Sequence, residues 1–258
     1  MVSRILVLAG TREAKDLCQL LSERRQFDVI ASLAGKVTYP ADYPVKIRVG
    51  GFGGTVGLAD YICRNGFSLI ADATHPFAHR ITTNAVGAAR IAQRPYLRLE
   101  RPPWEPYPTD HWTISDQLED LFARLPAGAR VFAPLGSGVL QPKISDLLAS
   151  RRDVRFFVRI AVPSTYPIPP NVETVVVAKP PFSLQSELRL LRKEELTALL
   201  CRNSGGTIGK TKIIAARQLQ LAVYILSRPP LPIKVQAGNL FGNAHEAAAA
   251  IEARLRLT

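Results

Sequence analysis

Short apolar runs alternate with segments of helical period along almost the whole chain, and this alternation limits the fold more than any single motif does. Residues 4–10 form an apolar run ending in glycine; after a polar turn, Ala14, Leu17, Cys18 and Leu21 recur at helical spacing within residues 13–24. The strand, turn and helix unit then repeats. Residues 28–34 read as a strand, 55–64 as a helix, 68–73 as a buried strand, 79–93 as a helix and 95–99 as a strand. Parallel strands need crossover connections, so the alternation predicts an α/β fold with parallel sheets covered by helices on both faces.

Residues 101–110, RPPWEPYPTD, carry four prolines and can continue neither a helix nor a central strand. They mark the expected connection between two domains, 1–103 and 104–258. Beyond them the pattern predicts a helix at 115–124, strands at 130–135 and 154–160, and an apolar run at 173–178. A helix at 183–194, a strand at 196–201, a helix at 207–219, a last strand at 222–226 and an alanine-rich helix at 245–255 follow. Two α/β domains with a ligand cleft between them are the expectation.

Composition narrows the partners. Of 258 residues, 47% are apolar and 21% charged, as in ordinary globular proteins. The opening MVSRILVLAG is too short for a signal peptide or a membrane span, so a cytoplasmic location is expected, with no membrane partner. Cys18, Cys63 and Cys201 are far apart, which suggests small buried hydrophobes rather than disulfides or a zinc site. His75 and His79 have helical spacing, but Pro76 lies between them and no third ligand is near; no metal is expected. The net charge of +12 favours an anionic partner. Its Lys and Arg residues are scattered singly or in pairs, unlike the basic tracts of a nucleic-acid binder.

Polar residues gather where parallel strands end, which is where this class of fold builds its sites. The turn at Gly10, Thr11 and Arg12 suits a phosphate, although it lacks G-x-G-x-x-G and could equally be a tight turn closing a strand. At the end of the second predicted strand, Ser32, Gly35 and Lys36 include no acid, which leans towards the 2′-phosphate of NADP; a surface lysine beside a turn is the alternative. Gly50, Gly51, Phe52, Gly53 and Gly54 free backbone N–H groups to face an anion or a flat ring. In the segment 72–78, buried Asp72 would be costly unpaired and His75 could donate a proton or hydrogen bond, unless Asp72 caps the next helix and His75 is structural. Arg202, Asn203, Ser204, Gly205 and Gly206 form another anion-type turn, with Lys210 and Lys212 beyond it.

Taken together and in order, LVLAGTREA (6–14), SLAGK (32–36), VGGFGG (49–54), DATHPFA (72–78), LRLERPPW (97–104), KPPFSLQSEL (179–188) and RNSGG (202–206) resemble the precorrin-6A reductase family over nearly the whole chain. The resemblance implies two Rossmann-like domains holding NADPH and a tetrapyrrole, with hydride transfer converting precorrin-6A to precorrin-6B in cobalamin biosynthesis. Cobalt-precorrin-6A of the anaerobic route, or another anionic substrate of an NADP-dependent reductase, is the alternative. A polycarboxylate substrate agrees with the +12 charge. On this reading Gly10, Thr11, Arg12, Ser32, Gly35 and Lys36 meet the phosphates and ribose of NADPH, and Gly51, Phe52, Gly53, Thr74 and His75 lie nearer the nicotinamide. Arg101, Lys179, Arg202, Asn203, Ser204 and Gly205 face the substrate, with His75, Tyr39 or a bound water as proton donor. A monomer that hands its product to the next pathway enzyme is expected.

The chain departs from the family pattern at Arg202, where lysine is usual, and at Gly209 and Lys210, where Thr and then Tyr or a similar residue are usual. A generic short-chain reductase is disfavoured, because none of the seven tyrosines has a lysine four residues on. A nucleotide-sensing or nucleic-acid-binding protein without turnover is the remaining reading; it predicts steeply salt-dependent binding.

Overall fold

The apolar runs of the first hundred residues become parallel strands. A computed structural model describes residues 2–34, 43–136, 138–232, 235 and 237–256. The chain divides into two units, Met1–Pro102 with Pro229–Thr258, and Pro103–Arg228.

In the first unit the elements are β1 (Ser3–Leu8), α1 (Arg12–Ser22), β2 (Phe27–Leu33), β3 (Lys46–Val49), α2 (Gly54–Arg64), β4 (Leu69–Asp72), α3 (His79–Ile91) and β5 (Tyr96–Leu99). The second unit holds β6 (Trp112–Ser115), α4 (Leu118–Ala123), β7 (Arg130–Ala133), α5 (Pro142–Ser150), β8 (Arg155–Ile160), β9 (Val172–Val177), α6 (Leu184–Lys193), β10 (Ala198–Arg202), α7 (Lys210–Gln218) and β11 (Ala222–Leu226). The chain then returns to the first unit as β12 (Leu240–Phe241) and α8 (Ala244–Arg256).

The first sheet runs β12-β5-β4-β1-β2-β3, with parallel pairings throughout. Leu8 lies level with Ser32 on one side and Asp72 on the other, so three strands end together. Strand order reverses between β1 and β4, which leaves a crevice there. Both faces of β1 are buried. Ile5 and Val7 join a cluster with Leu17 and Leu21 of α1 and Ala247, Ala248 and Ile251 of α8; Leu6 and Leu8 join Leu58 and Ile62 of α2 and Ala85 and Ala88 of α3. Such two-sided burial is why the strand sequence ILVL is continuous rather than alternating.

The second sheet runs β6-β11-β10-β7-β8-β9, also parallel, and reverses between β7 and β10. From Pro103 on, the proline-rich segment belongs to this unit. Trp104 is buried, and Asp110 takes two hydrogen bonds from Arg217 of α7, at 2.6 and 2.9 Å, while the same guanidinium lies 4.0 Å from the Tyr107 ring centre.

Several expectations need correction. Residues 229–258, expected in the second domain, pack with the first: β12 extends the first sheet beside β5, and α8 lies on α1. The alanine-rich helix was visible in the sequence, but the core it completes is set by the unfilled face of the first sheet. The strand at 222–226 is followed by one more, β12, and the sequence pattern also missed β3, β6 and α5. All are short elements, below the length at which periodicity discriminates. Cys18 and Cys201 are buried, but Cys63 is exposed, because it lies on the outer side of α2 next to the buried Ile62. Among the described residues no helix is long and apolar enough to cross a membrane.

Ile251 is wholly buried in the α8 contact, so Ile251→Ala is expected to cost about 2–5 kcal/mol, seen as a lower urea midpoint. The Arg217 hydrogen bonds hold Asp110 below the usual carboxylate range, against the opposing effect of burial. A folded pKa below the unfolded one, about 3.9, gives stability that is present above about pH 4 and lost as pH falls through the folded value. Asp110→Asn should therefore lower stability at neutral pH and flatten the acid limb of the urea midpoint against pH.

Candidate active site

At the carboxyl edge of the first sheet, the segments following β1, β2, β3 and β4 part around a cavity of about 690 Å³. Residues 8–10, 32–34 and 50–54 line it together with Thr74, His75, Ala78, Arg80, Ile81 and Asn84. No carboxylate is among these residues. Its glycine wall is held in shape by close contacts. Gly53 caps α2 in the left-handed region, φ 77°, and a Cβ on Gly57 would fall 1.9 Å from the Phe52 carbonyl oxygen. Arg48 donates to the carbonyls of Gly50 and Gly51 at 2.6 and 2.7 Å and lies 3.9 Å from the Phe52 ring centre. One guanidinium thus fixes both the backbone and the aromatic ring of the loop.

Behind the cavity lies a buried polar network. Asp72 accepts from the Thr74 N–H at 3.0 Å, the Thr74 hydroxyl at 2.7 Å, Arg98 Nη1 at 2.7 Å and the Tyr96 hydroxyl at 3.0 Å. Arg98 is 0% exposed and also donates through Nε and Nη2 to Glu100, at 2.9 and 2.7 Å. Burial alone would lower the Arg98 pKa, but the attraction of Asp72 and Glu100 outweighs it and the net shift is upward. Tyr96 is pushed up by burial, reinforced by Asp72, and stays a phenol that donates. Asp72 does not cap the next helix, contrary to one of the readings above; α3 begins at an Ala78 cap with no side-chain bond. The carboxylate instead anchors the chain as it leaves β4, which sets Thr74 and His75 on the cavity wall.

The Phe77 N–H donates to His75 Nδ1 at 3.2 Å. In the neutral ring this places the proton on Nε2, which makes that atom a donor. The rings of His75 and Phe77 lie 5.9 Å apart.

Of the residues expected to meet the cofactor, Gly10, Ser32, Gly51, Phe52, Gly53, Thr74 and His75 line the cavity. Thr11 and Arg12 do not. Thr11 caps α1, accepting from Ala14 N–H and donating to the Ala73 carbonyl at 2.8 Å, and exposed Arg12 pairs with Asp16 at 2.8 Å. Gly35, Lys36 and Tyr39 lie outside the described residues. Sequence reasoning passed over Arg48, Arg80, Asn84 and Arg98; only Arg98 had a signal, a charge set inside an apolar strand.

In the second unit, Arg202 ends β10 beside β7, at the reversal of that sheet. Burial lowers its pKa. Gly136, φ 90°, follows β7 in the left-handed region that favours glycine and lies close to Arg202 Nη1. Lys179 is exposed just past β9. Asn203 is used by the protein itself: its Oδ1 accepts from Trp104 N–H at 2.8 Å and its Nδ2 donates to the Trp104 carbonyl at 2.9 Å. Arg228 donates to the carbonyls of Asn203 and Ser204, at 2.9 and 3.0 Å, holding the turn from which Gly205 follows at φ 66°. Arg101 belongs to the first unit and pairs with Glu13 at 2.7 Å. At Gly209, where the chain departs from the family pattern, a Cβ would stand 3.1 Å from Trp104 and from Lys212 Nζ, a tight fit that a small shift of either side chain would relieve. Within the KPPFSLQSEL stretch, Glu187 takes a bidentate pair from Arg159 of β8, at 2.8 and 2.7 Å, and Phe182 lies 3.9 Å beneath the same guanidinium.

Fold and cavity define the class: a two-unit, doubly wound α/β protein with a ligand-sized cavity at the strand reversal of its first sheet. The sequence matches the family described as Precorrin-6x reductase CbiJ/CobK over residues 4–252. It is 37% identical over 242 residues to the precorrin-6A reductase of Rhodobacter capsulatus, covering 93% of this chain and 94% of that one. It is 38% identical over 233 residues to the precorrin-6A reductase of Rhodococcus erythropolis, covering 90% and 91%. The cobalt-precorrin-6A reductase of Priestia megaterium is 28% identical, with 94% and 95% covered. A solved structure, CobK precorrin-6A reductase, superposes with a TM-score of 0.86 at 34% identity, covering 99% of this chain and 96% of that one. The chain belongs to the precorrin-6x reductase family and is an oxidoreductase.

Arg98→Met would leave the wholly buried Asp72 carboxylate without the cation it pairs with. We expect a loss of about 3–5 kcal/mol in chemical denaturation, far beyond a surface arginine change.

Proposed function

We propose that the chain reduces precorrin-6A to precorrin-6B in cobalamin biosynthesis, with NADPH as reductant held in the first unit and the tetrapyrrole carboxylates met by the second. The observation that carries this reading is the family match over residues 4–252, joined to the structural likeness at TM-score 0.86. Identity of 37% and 38% to precorrin-6A reductases, against 28% to a cobalt-precorrin-6A reductase, favours the cobalt-free substrate.

The cavity suits a dinucleotide on physical grounds. Its 690 Å³ volume is in the range of cofactor pockets, and its glycines at the strand ends allow close backbone approach. Enzymes that use NAD place an acid at the end of the second strand to hold the ribose hydroxyls; here Ser32 and Leu33 close β2 and no acid is among the described residues that line the cavity, which supports the 2′-phosphorylated form. β3 lies beyond β2, so Gly51 and Phe52, expected nearer the nicotinamide, wall the same end as Ser32 and in this reading meet the ribose side, while Thr74 and His75 close the β4 side. When bound, the reduced nicotinamide supplies the hydride. The chain's own work is positional: Asp72 and Arg98 fix Thr74, the Phe77 N–H fixes His75, and His75 Nε2 presents a hydrogen-bond donor.

On the substrate side, Arg202 and Lys179 are the direct carboxylate partners in this reading, with fork geometry at Arg202 where the family usually has a point charge. Asn203 acts through the backbone of Trp104 rather than by contact. The net charge of +12 raises encounter rates with a polycarboxylate.

Anaerobic incubation with NADPH and precorrin-6A, with NADH and cobalt-precorrin-6A in parallel, tests this. Tetrapyrrole-dependent loss of nicotinamide absorbance, faster with NADPH and with the cobalt-free ring, is the expected result; NADPH binding without turnover on either ring would overturn it. Arg202→Ala should raise the tetrapyrrole KM by about one to two orders of magnitude, the loss of a charged hydrogen bond of about 1.5–3 kcal/mol, with NADPH affinity unchanged.

A further inference from the structure

We infer that Arg80 is a phosphate-binding residue of the first unit's cavity and takes a phosphoryl group of the dinucleotide. The inference rests on the cofactor reading above and deepens it, by naming the charge that meets the cofactor. Arg80 stands in the first turn of α3, is exposed, and lines the cavity. Ile81 and Asn84 of the same helix line it too, so this stretch of α3 forms a continuous wall.

The neighbouring arginines of this unit are committed to the protein. Arg12 is held by Asp16, Arg48 by the Gly50 and Gly51 carbonyls, Arg98 by Asp72 and Glu100, and Arg101 by Glu13. Arg80 differs: among the described residues no carboxylate or carbonyl engages its guanidinium. It also carries the one permanent charge among the described residues of the cavity wall, which includes no acid. A solvated guanidinium on a glycine-rich cavity wall whose described residues include no acid attracts an anion without first breaking an internal ion pair. Its planar set of donors matches two oxygens of a phosphate.

Two phosphoryl groups share this chemistry, the 2′-phosphate and the pyrophosphate, and binding titrations separate them. NADPH and NADH are titrated by fluorescence against the full chain as wild type, Arg80→Gln, Arg80→Lys and Ile81→Trp, the last filling the cavity. Arg80→Gln should weaken NADPH about tenfold or more, Arg80→Lys should recover part of that, and melting of the free protein should not move, because Arg80 makes no internal bond to lose. A loss confined to NADPH assigns the 2′-phosphate; an equal loss for NADH assigns the pyrophosphate. Wild-type affinity of Arg80→Gln for both dinucleotides would overturn the inference and leave the cavity reading intact, provided Ile81→Trp still abolishes binding. A wild-type chain that binds neither dinucleotide, or binding that survives Ile81→Trp, would overturn the cavity reading and this inference with it.

Discussion

The ion pair of Asp72 and Arg98, both wholly buried, is the constraint on which the first unit depends. Each charge alone would be costly inside the sheet, so each requires the other and a full set of hydrogen bonds. Thr74 and Tyr96 supply those on the Asp72 side and Glu100 on the Arg98 side, which ties the ends of β4 and β5 into one network. The Glu100 backbone N–H in turn donates to the Phe241 carbonyl at 2.9 Å, bringing β12 into register. A network of this kind has one satisfactory arrangement, and that arrangement places Thr74 and His75 on the cavity wall.

The second unit meets a similar demand with different residues. Arg159 and Glu187 lock β8 to α6 through a bidentate pair, with Phe132 and Phe182 within 4.7 and 3.9 Å of the guanidinium. The turn after β10 is shaped by Asn203 on the Trp104 backbone and by Arg228 on the turn's own carbonyls. Much of the sequence motif RNSGG therefore serves to build the turn. The proline-rich segment is fastened to this unit by Trp104 and by Asp110 on Arg217, so it is an ordered part of the second unit.

Motif reading in the sequence found Gly10, Ser32, Gly51, Phe52, Gly53, Thr74 and His75, all of which line the cavity, because strand ends in a parallel sheet are legible from apolar runs that stop at glycine or polar residues. Thr11 and Arg12 do not line it; their side chains cap α1 and form a helical ion pair. Arg80 was invisible for the opposite reason. In a chain with 33 Lys and Arg residues, an arginine on a helix looks like any other solvated charge until the fold shows that its helix turn walls a cavity.

What the sequence determined by itself was the alternation of strands and helices, and with it the two parallel sheets and the strand ends where polar residues collect. That information is local, written in the spacing of apolar residues, and survives without knowing any partner. Only the tertiary structure decided that residues 229–258 complete the first unit, since an alanine-rich helix carries no mark of the core it will cover. It also decided which polar side chains are consumed inside the protein and which line the cavity. Hydrogen-bond satisfaction is settled between residues far apart in the chain, as between Asp72 and Arg98 or Trp104 and Asn203, and no local pattern encodes it.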